Sequence, residues 1–286
     1  MSRAKRFFCP LFLVLLLTVL PFLPARADIG PKPSVTISFS GAAVEGRSYY
    51  CTLLGEGNGW GPWLNNDYED WRGEKSVWQA MHDYTPPAGY TFWGFYADCT
   101  GTDSFKWGYY PPERFYILLW LPGEDGGEYL LSPEPYERYA FASEYTVAIA
   151  ADGSWQTRRS YDWTGAVIGL LLRAALTVAV EAAVGVAVFG LHGRAQLELI
   201  LRVNLCTQLG LNLLLNWANY SNGPMLTVLV YGLLEICVFI IEGAVYARRL
   251  HWPDGRKPHP WLLSLGANGL SCFVGALLLR YAPELL

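Results

Sequence analysis

Residues 163–191 read WTGAVIGLLLRAALTVAVEAAVGVAVFGL, an apolar run interrupted only by Arg173 and Glu181. It exceeds the ~20 residues that a helix needs to cross ~30 Å of hydrocarbon at 1.5 Å per residue. Three further runs of this kind follow, at 195–217, 225–247 and 260–281. The C-terminal part of the chain, residues 161–286, therefore reads as a four-span helical bundle.

The short loops orient it. His192 and Arg194 follow the first span, and Arg248, Arg249, Arg256 and Lys257 follow the third, whereas Ala218–Pro224 between the second and third carries no charge. Basic loops stay on the cytoplasmic side, which places residues 28–160 and the C-terminus outside. Trp163, Trp217, Tyr220, Trp252, Trp261 and Tyr281 fall at span ends, where amphipathic rings settle. Gly165 and Gly169 form a pair spaced for close helix contact.

Inside the spans lie groups that lipid does not tolerate alone: Glu181, Glu235 and Glu242, Arg173 and Arg202, and Asn204, Gln208, Asn212 and Asn268. Each must find a partner within the bundle. Asn204, Gln208, Asn212 and Asn216 step by four along one face of the second span, and Ser264, Asn268 and Cys272 do the same on the fourth. Matching depths from the cytoplasmic side puts Glu181, Arg202, Glu242 and Asn268 in one layer. Arg173, Gln208, Asn212 and Glu235 fall in a second. Opposite charges at one depth predict that Glu181 or Glu242 meets Arg202 and that Glu235 meets Arg173. Two readings of this set stand side by side: interhelical hydrogen bonds that fix register, or a ligand or ion pathway through the bundle.

Residues 1–27 have a basic start, an apolar stretch from Phe7 to Leu23 and an Ala25-Arg26-Ala27 ending, the layout of a secretory signal peptide cut before Asp28. An uncleaved anchor is the alternative. The following segment, 28–160, carries 18 acidic residues against 9 basic ones, a formal charge of −9. Such an acidic surface argues against nucleic acid as a partner.

Alternating and aromatic-rich segments, Ser34–Ser40, Ser48–Leu54, Tyr90–Asp98, Arg114–Leu121 and Tyr145–Ala151, are separated by Gly and Pro clusters and read as strands. Val77–Tyr84 reads as a short helix. The expected fold is an extracytoplasmic all-β, sandwich-like domain, with α+β as the alternative, followed by the four-span bundle. Trp60, Trp63, Trp71, Trp78, Trp93, Trp107 and Trp120 supply either core packing or a flat face for a sugar or peptide. Asp67, Glu69, Asp70 and Glu74 form an acidic stretch without the spaced pattern of a calcium loop. Cys51 and Cys99 are the disulfide candidates of an exported domain, with two buried thiols as the alternative. Asn219-Tyr220-Ser221 makes a glycosylation sequon in the expected outer loop.

No catalytic motif emerges: there is no His-Glu-x-x-His, no Gly-x-Ser-x-Gly and no P-loop, and the histidines at 192, 251 and 259 sit outside the spans. Neither a metal set nor a cofactor is implied.

The stretches Phe105-Lys-Trp-Gly-Tyr-Tyr-Pro-Pro with Phe115–Leu121, Glu137-Arg-Tyr-Ala-Phe, Asn204-Leu-Cys-Thr-Gln with Asn212, Leu234-Glu-Ile to Glu242, and Asn268-Gly-Leu-Ser resemble a group of uncharacterised membrane proteins of Clostridia-type bacteria. That resemblance implies an exported domain followed by four transmembrane helices in the plasma membrane, and no assigned activity. The partners that the spans and the aromatic-rich domain invite are the lipid bilayer, a cell-wall or peptide ligand, and a second copy or another membrane protein. Two functions compete: ligand binding, sensing or an accessory role through the exported domain, and small ion or solute transport through the intramembrane Glu, Asn and Gln residues.

Overall fold

The computed structural model describes residues 30–60, 73–124, 126–252 and 259–281. The signal-peptide reading, Trp63, Trp71, Asp67, Glu69, Asp70, Arg256 and Lys257 lie outside the described residues.

Among the described residues ten strands precede the long helices, arranged in two sheets. The first sheet holds β10 (Trp155–Arg159), β9 (Ala142–Ile149), β1 (Ser34–Ser40) and β5 (Ser104–Trp107), in that order. β1 and β9 run parallel, from Ser34 opposite Ala142 to Ser40 opposite Ala148. Alternation decides which way this sheet faces. Val35, Ile37 and Phe39 of β1 and Tyr145, Val147 and Ile149 of β9 are buried on one side, and the intervening residues are more exposed.

The second sheet is antiparallel and runs β3 (Tyr90–Phe92), β2 (Tyr50–Glu56), β6 (Arg114–Leu121) and β7 (Glu128–Leu131). Short strands β4 (Ala97–Asp98) and β8 (Tyr136–Glu137) add to β2 and β6. Cys51, Leu53, Phe115, Ile117, Leu119 and Leu121 face the first sheet across a shared core that includes Phe105 and Trp107. The other face is covered as well. Helix α1 (Lys75–Asp83) sets Val77, Trp78 and Met81 on Leu54, Phe92 and Leu118. Burial on both faces explains why Arg114–Leu121 reads as a nearly continuous apolar run rather than an alternating one.

Two strand expectations change. Tyr90–Asp98 is not one strand but β3 and β4. Trp93 turns inward and packs over Gly55, where any side chain would collide with its ring, and Gly94 takes the positive φ of 83° that the break requires. Four short strands, β5, β7, β8 and β10, had no strong local signal. β10, WQTRR, is a charged edge strand, and β8 has only two residues.

The tryptophan-rich face is largely core. Trp78, Trp93 and Trp107 are buried, and of the described tryptophans before Trp155 only Trp60 is strongly exposed. Trp60 lies edge-on to Tyr110, with ring centroids 5.0 Å apart.

Four long helices follow: α2 (Trp163–Ala187), α3 (Arg194–Asn222), α4 (Pro224–Arg249) and α5 (Pro260–Tyr281). Three of them, α2, α3 and α4, are long and apolar enough to cross a membrane. α2 packs on α3 and α5, and α4 packs on the same two, so α2 and α4 stand diagonally opposite. The pattern is inside-out for a protein in water. Leu171, Leu172, Leu213, Trp217, Leu233, Ile240 and Phe273 are exposed, while Glu181, Asn204, Gln208, Asn212, Glu242 and Asn268 are buried.

The first helix stops four residues short of Leu191. Gly190 turns the chain with φ of 65°, and Leu191 folds back into the bundle, fully buried. The expected outer loop at Ala218–Pro224 is helix almost throughout. α3 runs to Asn222 and α4 begins at Pro224, with Gly223 alone between them at φ 82°. The sequon Asn219-Tyr220-Ser221 therefore lies on the last turn of a helix rather than in a loop.

Candidate functional site

The polar stripe of α3 is the spine of the site, and its i, i+4 spacing turns Asn204, Gln208 and Asn212 toward the other helices. At the level of Asn204, Glu242 of α4 is wholly buried, and its two carboxylate oxygens are both used. Thr207 Oγ1 donates to Oε1 at 2.7 Å, and Asn268 Nδ2 of α5 donates to Oε2 at 2.6 Å. One turn further along α4, Tyr246 donates from its hydroxyl to Asn204 Oδ1 at 2.9 Å. Glu181 of α2 is also buried and receives a long hydrogen bond, 3.4 Å, from Ser271 Oγ of α5. That hydroxyl lies 3.0 Å from the Asn268 carbonyl oxygen, so the Glu181 and Glu242 networks meet on one turn of α5.

Four buried polar atoms of this layer have no hydrogen-bond partner: Glu181 Oε2, Asn204 Nδ2, Gln208 Nε2 and Asn268 Oδ1. Two of them are oxygens and two are amide nitrogens as placed. Glu181 lies within electrostatic reach of both Glu242 and Glu235.

A second polar layer lies about two turns along α3. Arg173 of α2 donates from Nε to Asn212 Oδ1 and from Nη2 to Asn216 Oδ1, both at 3.0 Å. Asn216 Nδ2 returns to the Ala166 carbonyl at 3.2 Å, and Asn212 Nδ2 to the Gln208 carbonyl at 2.9 Å. Arg173 also borders a cavity of about 280 Å³ whose other walls include Glu144, Asp162 and Asn219. At the opposite end an apolar plug of Val184, Leu191, Ile200, Leu250 and Leu263 closes beneath the carboxylate layer.

Both expected ion pairs are replaced. Arg202 does not meet Glu181 or Glu242. It lies on the outer face of α3, with its side chain 75% exposed, and pairs with Glu198 one turn away at 3.0 Å. Equal depth does not fix azimuth: two residues rotate a helix by about 200°, so Arg202 and Asn204 face opposite ways. Arg173 does not meet Glu235 either, because α2 and α4 are diagonal. Glu235 instead lies near Tyr231, one turn away on its own helix. Of the stripe expected on α5, Ser264 and Asn268 are buried while Cys272 is exposed and takes a contact from the Tyr231 hydroxyl at 3.4 Å.

Glu181, Glu242, Asn204 and Asn268 are thus brought together, Arg173 and Asn212 form a separate layer, Gln208 is buried on α3 between Asn204 and Asn212, and Glu235 stands at the margin. Thr207, Tyr246 and Ser271 complete the site; none of them is among the expected site residues, although Thr207 and Ser271 lie in the stretches that carry the resemblance. Tyr246 stands four residues after Glu242 and Ser271 three after Asn268, spacings that return to one helix face.

The β-region is fastened to the bundle where α3 meets α4. Phe141 donates its main-chain N–H to the Tyr220 carbonyl at 2.8 Å, and its ring lies on Gly223, where a side chain would collide with it. Tyr220 is edge-on to Tyr161 at 5.0 Å and tilted over Trp163 at 5.4 Å. The Arg159 guanidinium covers Tyr139 at 4.8 Å, and Tyr139 lies 6.4 Å from Tyr220. Beside this clasp is a cleft of about 870 Å³ bordered by Glu56, Arg114, Glu137, Arg138, Ser221 and Asn222.

Cys51 and Cys99 are buried free thiols in this structure and are close neighbours. Each sulfur turns to a main-chain carbonyl, Thr52 and Ala97 respectively, at 3.7 Å. Burial pushes the Cys51 thiol well above its ordinary value, and the hydrogen bond with Cys99 adds to the effect. Among the described residues no group of three or more His, Cys, Asp or Glu side chains could hold a metal ion.

Comparison of the chain with protein-family models, with curated proteins and with solved structures finds no match.

Proposed function

We propose that this chain is an integral protein of a bacterial cell envelope, with α5 as a fourth span and the β-region outside, and that it works by ligand binding, sensing or an accessory role. The observation that carries this reading is the clasp of Phe141, Tyr161 and Trp163 on Tyr220 and Gly223. A freely tethered domain needs no such contact. Here a shift of the β-region reaches the end of α3, and the polar stripe on that helix passes it to Arg173 and the carboxylate layer.

Two measurements test this. Thermal unfolding of the wild type in detergent should show one transition for near-UV signal and helix content together, and Phe141→Ala should split it into two. A single unchanged transition in the variant would remove the coupling. For orientation, Asp152→Cys, on an exposed turn, should react with a membrane-impermeant maleimide on intact cells and Arg248→Cys should not. The reverse result would invert the topology.

Ion or solute transport is the second reading, and the four unpartnered buried polar atoms favour it. Against a through-going cation path stands Arg173, a fixed positive charge across the stripe. Flux into proteoliposomes that falls with Glu181→Gln would favour transport over coupling.

A further inference from the structure

We propose that the chamber between Glu181, Asn204, Gln208 and Asn268 binds a single dehydrated alkali-metal cation. All four side chains are at least nine-tenths buried, and each carries a polar atom without a hydrogen-bond partner. Such atoms in a bundle core require an occupant, because an unmet polar group out of water costs more than its hydrogen bond returns.

The sign of the charge comes from the acids. Glu181 lies within reach of Glu242 and Glu235, while Arg202 points outward and Arg173 is engaged by Asn212 and Asn216. An anion would face uncompensated carboxylates.

The valence comes from how many oxygens are free. Both oxygens of Glu242 are committed to Thr207 and Asn268, which leaves Glu181 Oε2 as the one uncommitted buried carboxylate oxygen of the layer. Divalent ions take several carboxylates or keep bound waters, and no acidic group of three exists here.

The remaining ligands are neutral oxygens. Asn268 Oδ1 is left as the free end of an amide whose Nδ2 is tied to Glu242 at 2.6 Å. Amide orientations are interchangeable at equal shape, so a cation would turn the oxygens of Asn204 and Gln208 inward. Asn204 can do this without losing Tyr246, whose hydroxyl accepts as readily as it donates. One carboxylate with amide oxygens is a hard-cation donor set. Arg173 on one side and the apolar plug of Leu191, Ile200 and Leu263 on the other make the ion occluded rather than in transit.

The site underlies the transport reading but does not depend on it. The test is melting of full-length protein, solubilised and held in choline chloride, against NaCl and KCl at constant ionic strength. At a hundredfold excess over Kd, Na⁺ or K⁺ should raise Tm by about 5–10 °C. Glu181→Gln should abolish the rise and Arg202→Gln, outside the chamber, should keep it. If Glu181→Gln does not fold, Ser271→Ala, which frees Glu181 from its anchor, should weaken half-saturation about tenfold. Identical melting in all three salts would overturn the proposal and leave water as the occupant. A rise undiminished in both chamber variants would overturn it by placing the ion elsewhere. Cation binding without flux would sink transport alone.

Discussion

Replacing Glu242 separates what its shape contributes from what its charge contributes. Glu242→Ala removes the acceptor of two buried donors, Thr207 Oγ1 and Asn268 Nδ2. Interhelical hydrogen bonds in membranes average ~0.6 kcal/mol with a maximum near ~1.7, so two lost bonds cost roughly 1–3 kcal/mol. The void in a packed bundle adds about 1–2 kcal/mol more. Glu242→Gln behaves differently. Its Oε1 can keep Asn268, and its new amide can donate to Thr207 Oγ1, whose hydroxyl then turns to the Val203 carbonyl already 3.1 Å away. Thr207 is an adaptor, and the expected cost of the Gln variant is below about 1 kcal/mol. Detergent-titrated unfolding in mixed micelles, followed by far-UV circular dichroism, reads both values. If Gln costs as much as Ala, the negative charge itself is needed and hydrogen-bond shape is not the explanation. If Ala costs nothing, the bundle is not built around this carboxylate.

Gly243→Val should destabilise by about 1–3 kcal/mol, since any side chain there meets the Trp261 ring, and Trp261→Ala should recover much of the loss in the double variant. Burial raises the Tyr145 phenol from 10.0 to about 12. A raised tyrosine stabilises fully below its unfolded value, so its contribution should persist up to pH 10 and vanish as pH climbs through 12; absorbance at 295 nm should show a late-titrating ring that Tyr145→Phe removes. Native protein at pH 8 should leave Cys51 unlabelled by iodoacetamide while unfolded protein is labelled, because burial disfavours its thiolate. Rapid native labelling would show that β2 opens.

Much of the fold was legible because its signals are local. β1 and β6 have the expected ends, Ser34–Ser40 and Arg114–Leu121, since alternation or continuous burial marks a strand within its own residues. Tyr90–Asp98 reads as one strand, but it breaks at Trp93 and Gly94, where Trp93 packs over Gly55, a residue far away in sequence. The candidate site was legible as a list. Glu181, Asn204, Gln208, Glu242 and Asn268 are all buried, and polar residues in long apolar helices announce themselves by their cost.

The sequence by itself determined which segments are long apolar helices, which residues must hide their polarity, and which positions share a helix face. These follow from composition and the 3.6-residue period alone. Only the tertiary structure decided who meets whom. It turned Arg202 outward to Glu198, set α2 diagonal to α4 so that Arg173 bonds Asn212 and Asn216 rather than Glu235, and carried α3 up to Tyr220 to grip the β-region. The order and rotation of helices in a bundle depend on packing between surfaces distant in the chain, and no period within one segment encodes that choice.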